Sequence, residues 1–83
     1  MASLKWSTDA LEDLEQLDFV IAQRVVAKVK WLEDNFSDVV PEKLRYDLRG
    51  QYKLRVGDYR AVYTVHDELI IIQAVGHRRD MYR

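Results

Sequence analysis

The stretch from Tyr52 to Val65, YKLRVGDYRAVYTV, constrains the fold of this chain more than any other. Two segments of alternating character flank Gly57-Asp58, and glycine at the first position of a two-residue loop favours a type II′ turn between antiparallel strands. With Val56 opposite Tyr59, every second residue shares one face, because side chains alternate along a strand. That apolar face consists of Tyr52, Leu54, Val56, Tyr59, Ala61, Tyr63 and Val65. The sequence therefore predicts a β-hairpin that packs on the core through this face.

The opposite face of the predicted hairpin is basic. It carries Lys53, Arg55 and Arg60 together with Val62 and Thr64, and the pairing puts Arg55 directly opposite Arg60. Like charges opposed across two strands are destabilising, so three cations on one short hairpin suggest a bound polyanion. For any single one of these residues, an ordinary solvated outer face remains the alternative.

Length and composition place the chain among small single-domain proteins. At 83 residues it is expected to form one domain, residues 1–83. No apolar run approaches the length of a membrane span, and the first residues lack the pattern of a secretory signal, so we expect no membrane role and a cytoplasmic location. The absence of cysteine and the two isolated histidines predict neither a disulfide nor a metal site.

Charge is unevenly divided along the chain. Residues 1–42 hold four Lys/Arg and nine Asp/Glu, a net charge of −5, whereas residues 43–83 hold nine Lys/Arg and five Asp/Glu, a net charge of +4. This asymmetry indicates a basic working surface built by the C-terminal half and an acidic N-terminal half behind it.

The N-terminal half is predicted to form a short strand and two helices. Leu4 to Ser7 alternates as a strand does, and Ser7-Thr8-Asp9 offers three successive N-cap candidates for a first helix. Asp18 can cap a second helix over Phe19 to Phe36, which contains no Gly or Pro. The apolar positions at helical spacing are Ile21, Val25, Val29, Leu32 and Phe36.

Three further apolar residues of the second helix, Val20, Val26 and Trp31, fall off this stripe. A broad contact with the core is the interpretation we favour from sequence. The alternative is a groove that receives a partner peptide, since surplus apolar surface on a small domain often marks an interface.

The C-terminal half is predicted to be an antiparallel meander. Glu42 to Asp47 is a possible strand, Leu48 to Gln51 a tight turn, and Leu69 to Val75 a strand that ends at Gly76. The continuous apolar character of that last strand is typical of a central strand covered on both faces. The predicted order is β-α-α-β-β-β(-β), an α+β fold with a helical hairpin on one face of a mostly antiparallel, twisted sheet.

A second basic cluster follows this strand. It consists of His77, Arg78, Arg79, Tyr82 and Arg83. These side chains are expected to be freed from the strand geometry and to complete the basic surface of the hairpin. For Arg79 and Arg83, a tail that merely solubilises the terminus is the favoured interpretation.

Three segments carry a family resemblance: Leu48-Arg49-Gly50, YKLRVGDYRAVY and VGHRRDMY. They resemble the RelE branch of the RelE/ParE toxin superfamily of bacterial type II toxin-antitoxin systems. The resemblance implies a ribosome-dependent endoribonuclease, or mRNA interferase, that cuts mRNA in the ribosomal A site and thereby inhibits translation. It also implies a cognate antitoxin as partner, and binding to operator DNA only together with that antitoxin.

Carried over by position, the resemblance implies a metal-independent active site without a cofactor, made of Lys53, Arg55, Arg60, Arg78 and Tyr82. Crowded cations would favour Lys53 as a base, and Arg55 and Arg60 would hold phosphate oxygens. Arg78 would stabilise the leaving group, with His77 as a possible acid. Substrate contacts would come from Lys53, Arg55, Arg60 and Arg79, and Tyr82 could stack on a base or move a proton.

Two other functions remain open at the level of sequence. One is a non-enzymatic inhibitor of DNA gyrase, like the ParE branch of the superfamily. The other is an inactive member retained as an antitoxin-bound co-repressor that binds DNA. The opposed arginines of the hairpin favour RNA chemistry over both, because a gyrase inhibitor has no evident need of them.

Overall fold

The computed structural model describes residues 1–43 and 50–81, with the side chain of Met81 left out. Its elements are β1 (Ser3–Trp6), α1 (Thr8–Glu15), α2 (Phe19–Asp34), a 3-10 turn (Phe36–Asp38), β2 (Glu42–Lys43), β3 (Tyr52–Val56), β4 (Tyr59–His66), β5 (Leu69–His77) and α3 (Arg78–Met81). The sheet order is β1-β5-β4-β3-β2; β1 is parallel to β5, and the other pairs are antiparallel. The predicted α+β fold with a mostly antiparallel sheet is confirmed.

Side-chain caps begin both long helices. Of the three candidates for α1, Ser7 is the N-cap, and its hydroxyl oxygen accepts a hydrogen bond from the backbone N–H of Ala10 at 3.0 Å. Asp18 caps α2 as predicted and accepts from the N–H of Val20 at 3.2 Å. The helix ends at Asp34, two residues before the predicted end. There the backbone N–H and the side-chain amide of Asn35 both donate to the carbonyl of Trp31 at 2.9 Å, which caps the end of the helix.

The core lies between the two helices and one face of the sheet, with Ala10 of α1 fully buried. Val25, Val29 and Leu32 are buried on α2, and the buried sheet residues packed with them are Leu54, Ala61, Tyr63, Ile70, Ile72 and Val75. Tyr52, Val56 and Val65 of the predicted apolar face pack against this cluster. The hairpin therefore joins the core through the face predicted from its alternation.

The hairpin has the predicted register. Val56 pairs with Tyr59 and Arg55 with Arg60. Gly57 has φ +61°, which the first loop position of a type II′ turn requires and which costs a glycine little.

The apolar strand β5 lies inside the sheet between β1 and β4, as predicted, but it differs from its prediction in two ways. Ile70 and Ile72 are fully buried whereas Ile71 is only half-buried, because the helices cover one face of the sheet. The strand also continues through Gly76 to His77 rather than ending at Gly76.

A β-bulge interrupts the pairing of β4 with β5. Val62 pairs with Ala74 and Tyr63 with Ile72, so Gln73 has no partner on β4. Helix α1 and its cap satisfy the displaced backbone groups. The Ser7 hydroxyl donates to the carbonyl of Gln73 at 3.2 Å, and the Asp13 carboxylate accepts from the N–H of Val75 at 3.0 Å.

The outer surface of α2 is more apolar than the core requires. Val20, Val26 and Trp31 are exposed, so the favoured prediction that they contact the core is wrong. Phe19 is also exposed, at 73% of its surface. These side chains lie on the side of the helix away from the sheet, and Lys28 Nζ sits 3.8 Å from the centre of the Trp31 ring.

Some predicted features lie partly outside the described residues. Of the possible strand from Glu42 to Asp47, the structure describes Glu42–Lys43, which form β2. Leu48 and Arg49 of the predicted turn from Leu48 to Gln51 also fall outside, whereas Gly50 has the positive φ of +74° that turn glycines adopt. Within residues 1–43 and 50–81, no helix is long and apolar enough to cross a membrane.

Candidate functional site

Strand pairing brings three cations together on the side of the sheet away from α1 and α2. Lys53 and Arg55 are two residues apart on β3 and so share a face, and Arg60 on β4 lies directly opposite Arg55. We call Lys53, Arg55 and Arg60 the cation cluster. The juxtaposition follows from the local register of the hairpin.

An acidic residue that sequence reasoning missed is built into this cluster. Glu42 pairs with Lys53 across β2 and β3, and its carboxylate accepts from Arg55 Nε at 3.0 Å and from Arg55 Nη2 at 2.6 Å. Lys53 Nζ is 3.9 Å from the same carboxylate. The proximity of Glu42 to these two cations depends on the register of β2 against β3. The available signal was Glu42 opening a possible strand beside a cationic hairpin.

The cluster keeps Glu42 ionised. The hydrogen bonds from Arg55 lower the pKa of the Glu42 carboxyl below its usual value, desolvation partly opposes this, and the charges of Arg55, Lys53 and Arg60 lower it further. Glu42 is thus a carboxylate at neutral pH and a hydrogen-bond acceptor inside an otherwise basic surface.

Arg60 is held differently from its neighbours. Its residue is only 6% exposed, and Nη1 donates to the backbone carbonyls of Gly57 and Tyr59, both at 2.8 Å. Its register partner on β5 is Gly76, which has no side chain to compete for the space beside it. Nε is buried without a hydrogen-bond partner among the described residues. Arg60 therefore secures the hairpin turn as well as contributing charge.

Arg78 lies at the tip of the same hairpin. Its backbone N–H donates to the carbonyl of Asp58 at 2.8 Å, and its Nε is 4.0 Å from the Asp58 carboxylate. Arg78 and Arg60 thus both bond the turn that joins β3 and β4. The structure brings this member of the C-terminal cluster close to the hairpin, as expected.

His77 does not join the cation cluster. It pairs with Tyr59, and the two rings meet edge-on with centroids 5.3 Å apart, on the face of the sheet that the helices cover. Because β5 continues through His77, strand alternation still directs this side chain, which corrects the expectation that it was freed. Its Nδ1 accepts from the N–H of Arg79 at 3.2 Å, which leaves a ring proton on Nε2.

Two predicted site residues remain, Arg79 and Tyr82. Arg79 is exposed in α3, and Tyr82 lies outside the described residues. In the part of the chain that the structure describes, no three His, Cys, Asp or Glu side chains are grouped as metal ligands would be. The described site therefore offers guanidinium and ammonium groups for phosphate binding, with Glu42 as a carboxylate among them.

Comparison with solved structures defines the class of protein. The toxin-antitoxin complex RelBE2 from Mycobacterium tuberculosis contains a chain that superposes with a TM-score of 0.79 at 30% identity, covering 93% of this chain and 98% of that one. A helical hairpin on a mostly antiparallel sheet is thus the fold of a chain in a toxin-antitoxin complex.

Sequence comparison identifies the family. Residues 4–82 match the family described as the ParE toxin of the type II toxin-antitoxin system parDE. Toxin RelG of Mycobacterium tuberculosis is 34% identical over 98% of this chain and 95% of its own length. A putative RelE-like toxin protein of Escherichia coli is 36% identical over 95% of this chain and 87% of its own. The chain belongs to the RelE/ParE superfamily of type II toxins.

Proposed function

We propose that this toxin is a ribosome-dependent endoribonuclease that cleaves mRNA in the ribosomal A site and inhibits translation. The observation that carries the proposal is the direct opposition of Arg55 and Arg60, with Lys53 on the same face. Opposed cations destabilise a hairpin, and a phosphodiester backbone would neutralise them. The neighbouring Arg78 extends the basic surface to the hairpin tip.

The proposed reaction is attack of the RNA 2′-hydroxyl on the adjacent phosphate. Lys53, the member of the cation cluster that can lose a proton, accepts the hydroxyl proton. Arg55 and Arg60 stabilise the negative charge that builds up on the phosphate oxygens, an electrostatic contribution that is usually large in such reactions. No metal or cofactor takes part.

We assign stabilisation of the leaving 5′-oxygen to the C-terminal residues. Arg78 stabilises its charge from the tip of the hairpin, and Arg79 contributes to holding the substrate. His77 is not assigned the acid role, because its ring lies against Tyr59 on the face of the sheet opposite the cation cluster. Tyr82 completes the proposal as a residue that stacks on a base or moves a proton.

The ribosome enters the proposal as the element that orients the substrate. The described cluster contains no paired imidazoles, which would titrate near neutral pH and serve directly as acid and base. Precise positioning of a 2′-hydroxyl in line with its phosphate can by itself lower the activation barrier of cleavage substantially. The toxin would accordingly act in the cytoplasm, on messages under translation.

A cognate antitoxin is the second proposed partner. The structural relative from Mycobacterium tuberculosis was solved as a toxin-antitoxin complex. The exposed apolar side chains of α2, among them Phe19 and Val26, supply a surface that such a protein would cover. Operator DNA is proposed to bind only to the complex of the two proteins.

Transcript mapping after induction tests the proposed activity. We expect cuts within translated messages, phased with the codons, and their loss in an Arg55→Ala variant, while Arg24→Ala, which removes an arginine from α2, leaves them in place. Intact messages in cells whose growth has stopped would reject the endoribonuclease. Full-rate cleavage of naked RNA by the purified toxin would reject the ribosome dependence.

Inhibition of DNA gyrase is the second candidate, because the matched family is described by its ParE toxin. This function predicts DNA damage after induction without cuts in messages, and it predicts that the cation cluster is dispensable. Induction that leaves growth unaffected would instead indicate an inactive member retained as a co-repressor.

A further inference from the structure

The carboxylate of Glu42 occupies the groups with which Arg55 would bind phosphate. We propose that Glu42 is a displaceable internal anion: it fills the guanidinium fork of Arg55 in the free toxin and leaves when a phosphodiester of RNA binds there. The inference rests on the proposed function for the class of ligand, and the contacts of Glu42 supply the rest.

The two bonds between Arg55 and Glu42 have the geometry of phosphate recognition. Nε and Nη2 of Arg55 donate side by side to the two carboxylate oxygens, at 3.0 and 2.6 Å. The planar fork of arginine binds phosphate through the same parallel pair of N–H groups. A phosphate and the Glu42 carboxylate therefore compete for the same two donors, and both cannot occupy this fork together.

The ion pair is weak enough to exchange. The side chains of Arg55 and Glu42 are 58% and 44% exposed, and ion pairs so open to water contribute little to stability. Glu42 comes from β2, a described strand of two residues at the edge of the sheet, and is not part of the hydrophobic core. Its side chain can turn away from Arg55 without disturbing the packing beneath the hairpin.

Such an internal anion selects among ligands. Any anion that binds Arg55 must first displace the carboxylate, which costs the same for every ligand. A single phosphate has few contacts to offset that cost, whereas an RNA strand contacts several basic residues of the site at once. Glu42 thus favours an extended polyanion over small anions.

Binding of an uncleavable ligand tests the inference directly. A short 2′-deoxy oligonucleotide lacks the attacking hydroxyl, and fluorescence anisotropy reports its affinity for each variant. We expect Glu42→Gln to bind about fivefold more tightly than the matched control Glu33→Gln, the fold-change that loss of an exposed ion pair permits. Each of the two variants removes one carboxylate, so both raise the net charge equally. Glu33 is likewise in an ion pair, with Lys30 on α2 at 3.3 Å.

Two more variants separate displacement from charge. Glu42→Asp preserves the net charge but shortens the reach to Arg55, and we expect binding between that of the wild type and of Glu42→Gln. In the double variant Glu42→Gln with Arg55→Gln, the gain should vanish. Circular dichroism of each variant verifies that it is folded.

Several outcomes would overturn the inference. They are equal affinities for Glu42→Gln and Glu33→Gln, weaker binding by Glu42→Gln, a gain that persists without Arg55, and no binding by any variant. The proposed nuclease can fail separately. Intact messages after induction, combined with tighter oligonucleotide binding by Glu42→Gln, would reject the cleavage reaction and retain Glu42 as an internal anion.

Discussion

At the scale of single residues, the three members of the cation cluster have different environments. Arg55 is exposed and bonded to Glu42, whereas Arg60 is buried and bonded to backbone carbonyls of the turn. Strand alternation predicts that they share a face, but it says nothing about what each side chain bonds. Substitutions at these positions should therefore differ in their effect on stability even where they act alike on activity.

Arg60→Ala should abolish toxicity while the antitoxin still binds. It should also lower the free energy of unfolding by about 2 kcal/mol, because charge-assisted hydrogen bonds to the turn are lost. Growth after induction, a pull-down with the antitoxin and chemical denaturation measure the three effects. Arg55→Ala is the matched control, with a similar loss of toxicity and little change in stability. Undiminished killing by Arg60→Ala would contradict the assignment.

Tyr63 should titrate above the ordinary range of a tyrosine. Burial, with a smaller contribution from Tyr52 and Glu42, raises its pKa from 10.0 to about 12. The unfolded chain then releases the proton first, so this contribution to stability is complete below about pH 10 and is lost as the pH rises through 12. Absorbance of tyrosinate during alkaline titration measures it. In Tyr63→Phe the late step should disappear, and its persistence would contradict the assignment.

At the scale of elements, the sequence predicts features that depend on neighbouring residues, but not contacts between residues far apart in the chain. The caps at Ser7 and Asp18 and the register around Gly57 depend on residues within a few positions, and the sequence predicts them. The bulge at Gln73 depends on Asp13, which lies on another element. Glu42 reaches Arg55 through the pairing of β2 with β3, whose register the alternation of residues does not predict. Neither contact follows from the pattern of residues along the chain.

Asp13→Ala should destabilise the fold through β5. The N–H of Val75 would lose its acceptor next to the bulge, and leaving a part-buried backbone donor without a partner costs about 1–3 kcal/mol. Chemical denaturation measures the loss. Glu12→Ala, an exposed neighbour on α1, is the control and should change stability little. Equal stability of the two variants would show that water replaces the carboxylate.

At the scale of the whole molecule, the two layers have separate chemistry. The sheet turns a basic face outward, and the helical layer turns an apolar surface outward in the acidic half of the chain. In the proposed function, RNA takes the first surface and the antitoxin contacts the second. The apolar area exposed on α2 is unfavourably hydrated in the free toxin until a partner covers it.

Phe19→Ser together with Val26→Ser should weaken antitoxin binding and leave message cleavage intact. Both side chains are exposed, so stability should change little. Calorimetric titration with the antitoxin and transcript mapping measure the two effects. Leu11→Ser, which removes an exposed apolar residue from α1, is the control. An unchanged affinity of the double variant would place the antitoxin elsewhere.

The bulge at Gln73 also shifts the pairing of β5 against β4 by one residue, next to the cation cluster. In an unbroken ladder, Tyr63 opposite Ile72 would put Val75 opposite Arg60 and turn His77 outward. The extra residue moves the pairing on by one, so Gly76 lies beside Arg60 and Val75 enters the core. The extra residue at Gln73 thereby gives the cluster a glycine as its neighbour and brings the His77 ring edge-on to Tyr59.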